Sequence, residues 1–186
     1  MKRITNLHTW AISILFVTLL GSVATATPLF ADDMQHDNRQ PPAKLVRQVR
    51  EATKQFLDVN NAVQAGYGPA FGCVTGQDHG AMGIHYVNGG LVGDGQIDLK
   101  HPEALIYEPD GKKRTLVGVE YIVDAATWLK NNNNVPPTLD NQDFQLVPAP
   151  NRFNLADFFE LHVWAWRDNP LGAFVDWNNQ VTCEAQ

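Results

Sequence analysis

Between residues 45 and 63 apolar side chains recur in alternating steps of four and three: Leu45, Val49, Ala52, Phe56, Val59 and Val63. A helix gathers positions so spaced onto one face, so the segment predicts an amphipathic helix. Pro41-Pro42 opens it, and Gly66 with Gly68-Pro69 closes it. Its polar face carries both charge signs, which points to packing on a sheet rather than lying on a membrane. Beyond Cys73 the pattern shortens to strands. AMGIHYVN (81–88) is the first clear one. ALIYEP (104–109) and KKRTLVGVEYIV (112–123) are joined through Asp110-Gly111, which predicts a hairpin with a two-residue turn. FFELHVWAWRD (158–168) is the last, closed by Asn169-Pro170. NNNNVPPTLDNQD (131–143) reads as a loop, and GGLVGDG (89–95) as a turn-rich connection without phosphate-loop spacing. The predicted fold is α+β: one N-terminal amphipathic helix packed on an antiparallel β-sheet or small barrel.

One residue disturbs this pattern. Glu120 stands at the centre of LVGVEYIV (116–123), and a buried carboxylate without a partner costs several kcal/mol or takes up a proton. With Asp110-Gly111 as the loop, Glu108 opposes Lys113, Tyr107 opposes Arg114 and Leu105 opposes Leu116. Alternation then places Glu120 with Leu105, Tyr107, Leu116 and Ile122. Ala104, Ile106, Val117, Val119, Tyr121 and Val123 form the other face. Both faces are apolar here, so both are covered and Glu120 is enclosed.

The same oddity recurs in two more strands. His85 interrupts GIHYV, and His162 interrupts LHVWAW with Glu160, Trp164 and Trp166 on its face. Should the three strands be neighbours, His85, Glu120 and His162 form a set of two imidazoles and a carboxylate. Such a set, with an open position, is a recurring ligand arrangement for zinc or non-haem iron. His79, in the loop QDHG, is a candidate fourth ligand. A hydrolase or oxygenase assisted by a divalent metal fits such a pocket. So does metal-free acid–base chemistry by a His–Glu pair, with Tyr107 donating a hydrogen bond. A third reading is non-catalytic: Trp164 and Trp166, with other aromatics, line a pocket for a small apolar ligand. The bland alternative is a structural cluster in which Glu120 pairs with an arginine or with His162.

The N-terminus changes the setting. Lys2 and Arg3 precede an apolar run over 11–20, and Ala24-Thr25-Ala26 is a small-residue cleavage pattern, so residues 1–26 read as a secretory signal. Leu29-Phe30-Ala31 offers a second cleavage point. The apolar run is too short to span a bilayer. Residues 27–42 read as a flexible lead-in and 43–186 as a single globular domain. Removing the signal leaves 12 basic against 20 acidic residues. An acidic chain without basic clusters argues against nucleic acid as a partner and carries no polybasic membrane patch; a small-molecule ligand is compatible with it. Export to a periplasm or the cell exterior makes a Cys73–Cys183 disulfide the default, contributing about 4–5 kcal/mol in the chain-entropy model. The only serines are Ser13 and Ser22, inside the signal, which excludes serine-nucleophile chemistry from the remainder.

The succession GAMGIHYVN, PEALIYEP, LVGVEYIV, ELHVWAWRDNPLGAF and WNNQVTC, across most of residues 50–183, resembles a group of small exported bacterial proteins of unknown function. The resemblance implies export and a single domain. It implies no activity, cofactor or catalytic residue.

Overall fold

The computed structural model describes residues 43–76 and 78–185; the expected signal (1–26) and lead-in (27–42) lie outside them. In place of one helix over 45–63, the chain forms α1 (Lys44–Thr53), a 3-10 turn (Lys54–Leu57) and α2 (Val59–Gln64). The break falls at Asp58, which is extended (φ −93°, ψ 113°) and whose carboxylate accepts from the Asn60 N–H at 2.9 Å. That is an N-cap, so Asp58 starts a new helix rather than continuing the old one. Leu45, Val46, Val49 and Phe56 are buried, but the break turns Val63 out to 55 % exposure.

Next in order come β1 (Gly68–Gly76), β2 (Gly80–Val87), a single turn α3 (Gly89–Val92), β3 (Ala104–Asp110), β4 (Lys113–Asp124) and α4 (Ala125–Asn131). A two-stranded ribbon of β5 (Thr138–Leu139) and β6 (Gln142–Asp143) leads to β7 (Gln145–Val147) and β8 (Phe158–Val163). β1-β2-β3-β4-β8-β7 is the order in one antiparallel sheet. The architecture is α+β. Pro69 and three glycines hide β1 from a strand pattern. Its pairing with β2 jumps from Ala70 to Cys73, around Phe71 and Gly72 at positive φ.

The sheet is covered on both faces. Leu105, Tyr107, Val119, Tyr121, Leu161 and Val163 join Leu45, Val49 and Phe56 in the main core. Ile106, Val117 and Trp164 pack with Ala81 and Val181 in a smaller core on the other side. The C-terminal segment supplies that second cover. Asn178, fully buried, exchanges backbone hydrogen bonds with Ala81, and the Trp164 indole N–H donates to the Val175 carbonyl at 2.6 Å. Gly80 permits the close approach: at φ +85° a Cβ there would lie 2.2 Å from the Asn178 carbonyl oxygen. The expected disulfide is present, Cys73 to Cys183 with Cα atoms 5.8 Å apart, and it ties this segment to β1. Among the described residues no helix is long and apolar enough to cross a membrane.

The hairpin register corrects the expected faces. The loop is Gly111-Lys112, with Asp110 opposite Lys113, Glu108 opposite Thr115 and Tyr107 opposite Leu116. That offset of two residues leaves the faces unchanged. A bulge then follows: Ile106 pairs with Gly118 and Ala104 with Glu120. One extra residue in β4 flips every later side chain to the opposite face. Glu120 therefore lies with Ala104 and Ile106, not with Leu105 and Tyr107. Val117, at the bulge, uses its carbonyl to accept from both the Trp166 and Arg167 N–H groups at 3.0 Å.

Candidate metal centre

Strand pairing brings the three ionisable residues to one face. His85 of β2 pairs with Ile106, Glu120 of β4 pairs with Ala104, and Glu120 pairs on its other side with His162 of β8. β3 separates the first two, but the Ala104 methyl leaves room between them. His85 Nε2 lies 3.3 Å from Glu120 Oε2, and the two imidazoles meet edge-on with centroids 6.0 Å apart. Candidate ligand atoms of His85, Glu120 and His162 lie within 4.8 Å of one another. All three are buried, Glu120 at 4 % exposure and His162 at 2 %.

Two further carboxyl groups belong to the cluster. Glu160, two residues before His162 on the same face of β8, is buried and hydrogen-bonds Glu120. Asp176, on the C-terminal segment, places Oδ1 3.7 Å from His162 Nδ1, and its Oδ2 accepts from the Gln145 side-chain amide at 3.1 Å. Glu160, His162 and Asp176 form a second set with ligand atoms within 4.8 Å. Trp164 stacks against the His162 ring at 6.3 Å and closes that side.

Burial controls the charges. It holds His85 down to about 3, aided by the neighbouring His162, with the Gly83 carbonyl acting in the other direction. Burial likewise holds His162 down to about 4. Both imidazoles are therefore neutral at pH 7, so the His85–Glu120 contact is not an ion pair. Burial also raises Glu120 well above the usual carboxyl range, with Glu160 and Asp176 adding repulsion. Glu160 rises to about 7 from burial, its hydrogen bond to Glu120 partly offsetting this. The metal-free cluster is thus two neutral imidazoles and a carboxyl pair sharing a proton. His85 Nδ1 and both ring nitrogens of His162 are buried without a well-formed hydrogen bond to a protein group.

The remaining expected positions fall elsewhere. His79 is exposed in the turn before β2 and belongs to neither ligand set. Tyr107 lies on the helix side, where its hydroxyl donates to the Phe56 carbonyl at 2.7 Å. Trp166 follows the end of β8, so alternation fails there; its indole N–H donates to Thr53 Oγ1 at 3.0 Å on the helix side. Only Trp164 of the three expected pocket residues touches the cluster. The space beside the site is instead an apolar cleft, where Phe71, Val87, Ile122, Phe153, Leu155 and Phe158 surround the edges of His85 and Glu120. Glu160 was visible in sequence as the i−2 neighbour of His162. Asp176, in FVDWNNQ, had no pattern around it to mark it. No protein-family model, curated protein or solved structure matches this chain.

Proposed function

We propose that this is an exported protein that binds a divalent transition-metal ion, zinc or iron(II), through His85, Glu120 and His162. The observation that carries the reading is the convergence of their ligand atoms within 4.8 Å while His162 nitrogens, at 2 % exposure, have no protein partner. An unsatisfied buried polar atom costs about 1–3 kcal/mol, and neutral imidazole nitrogens are ready to donate a lone pair. Two nitrogens and a carboxylate oxygen suit zinc and iron(II). Both cysteines of the chain are in the disulfide, so no thiolate competes for a softer ion. That disulfide also fits an oxidising compartment outside the cytosol. Binding of the ion displaces the proton shared by the carboxyl pair and sets a positive charge among three acidic groups.

The cleft beside the site encloses only about 30 Å³, so a second reading, a small ligand with an apolar part, requires Phe71 and Phe153 to move apart. Metal content tests the first reading. Full-length protein is purified without chelator or a nickel column and assayed by elemental mass spectrometry beside His85→Ala and Glu120→Ala. Bound zinc or iron in the wild type, lost from both folded variants, is the expected result. A wild type that holds no ion and takes none up when zinc or iron is added overturns it. Retention of an apolar ligand by both variants then leaves the cleft as the functional feature.

A further inference from the structure

We infer that Glu160 and Asp176 form a second cation position that shares His162 with the first, making the centre a two-ion site bridged by the His162 imidazolate, whose ring N–H proton passes to solvent by way of the partly exposed Asp176 carboxylate as the second ion binds. This rests on the metal-binding reading above. One ion occupies one nitrogen of an imidazole ring, and both His162 nitrogens are buried without a protein partner. A single ion at the His85–Glu120–His162 set leaves the other nitrogen orphaned. Its nearest acidic neighbour is Asp176, 3.7 Å from Nδ1, which is beyond hydrogen-bond length. Yet His162, Asp176 and Glu160 satisfy the same convergence as the first set, and Nδ1 is the ring nitrogen facing Asp176.

The two positions adjoin through His162, which lies opposite Glu120 across the β4–β8 pair and two residues after Glu160 on β8. Three carboxyl groups face two neutral imidazoles there. The guanidinium of Arg167 is engaged by Glu108, and that of Arg152 lies over the Trp177 ring at 5.5 Å. Asp176 keeps partial exposure, its side chain 26 % accessible, so the second position opens toward solvent while the first is enclosed. A buried first ion and a more accessible, exchangeable second ion follow from that difference.

The test is stoichiometry. Chelator-stripped full-length protein is titrated with zinc, and zinc bound per chain is read at equilibrium, by calorimetry and by competition with a zinc-binding dye, for wild type, Asp176→Ala, Asp176→Asn and His85→Ala, with circular dichroism verifying folding. Two zinc ions per wild-type chain and one in each Asp176 variant are expected. Copper(II)-loaded wild type should give an electron paramagnetic resonance signal of a coupled pair, replaced by an isolated-ion signal in Asp176→Asn. One zinc per chain in the wild type overturns the two-ion site and leaves Asp176 as a positioning residue for the His162 ring. Two zinc ions retained in Asp176→Ala also overturn it. No zinc in the wild type overturns the metal-binding reading itself, so the two failures are distinct.

Discussion

Glu120 sits directly opposite His162 across the β4–β8 pair, and it faces that way because of the bulge where Ile106-Tyr107 meets Leu116-Gly118. Without the extra residue, Glu120 would point at the helices, among Leu105, Tyr107 and Leu116. The bulge turns that carboxyl away from the main core and brings it beside His85 and His162.

Glu120→Gln separates stability from binding. In metal-free protein above pH 7 the amide replaces a carboxyl whose ionisation burial opposes, so thermal stability should hold or rise. Zinc affinity should fall by at least about 100-fold, more than a lost supporting contact costs. Melting temperatures with and without zinc measure both. Zinc at 100 times its Kd stabilises by about 2.7 kcal/mol, and this increment should be seen in the wild type and vanish in the variant.

Glu103 gives a pH dependence away from the centre. It is buried at 2 % exposure, accepts from the Ile122 N–H at 2.9 Å, and burial raises it from 4.5 to about 8. The folded protein holds this proton at pH values where the unfolded chain has released it. The stability contributed is full below about pH 4.5 and is lost as pH rises through about 8, on the order of a few kcal/mol. Glu103→Gln should flatten the fall in stability between pH 5 and pH 9, measured by urea titration. Parallel wild-type and variant profiles would count against it.

Gly80 holds the C-terminal segment against β2. In Gly80→Ala the new methyl would lie 2.2 Å from the Asn178 carbonyl oxygen, at a φ of +85° that L residues rarely adopt. The segment must lift, and Asp176 lifts with it. The variant should lose about 2 kcal/mol or more, with faster amide exchange at Ala81 and Asn178.

Replacing both Cys73 and Cys183 by alanine opens a link spanning 110 positions and should cost about 4 kcal/mol in the chain-entropy model. Denaturant unfolding of oxidised, reduced and doubly substituted protein checks this. The reduced and the doubly substituted forms should coincide.

Much of this fold is legible in residue pattern, for identifiable reasons. β2, the β3–β4 hairpin and β8 are continuous apolar runs with clear boundaries, and the disulfide follows from two cysteines. The interruptions by His85, Glu120 and His162 therefore stand out as a set. β1 is not legible, because its pairing survives glycines and a bulge at Phe71-Gly72. The face of Glu120 is not legible either. A β-bulge depends on the carbonyl of Val117 meeting the backbone of Trp166 and Arg167, distant in sequence. Asp176 reaches the cluster only through the tertiary path of the C-terminal segment, and Trp166 leaves it because β8 ends at Val163. Local alternation describes a strand and is silent on where the strand stops.

Anomalous X-ray scattering from crystals of zinc-loaded wild-type protein, recorded on both sides of the zinc absorption edge, locates the ion itself. An edge-dependent peak is expected about 2.0–2.2 Å from a nitrogen of His85, a nitrogen of His162 and an oxygen of Glu120. Zinc peaks confined to surface residues such as His79 or His101, with none among these three, would contradict it.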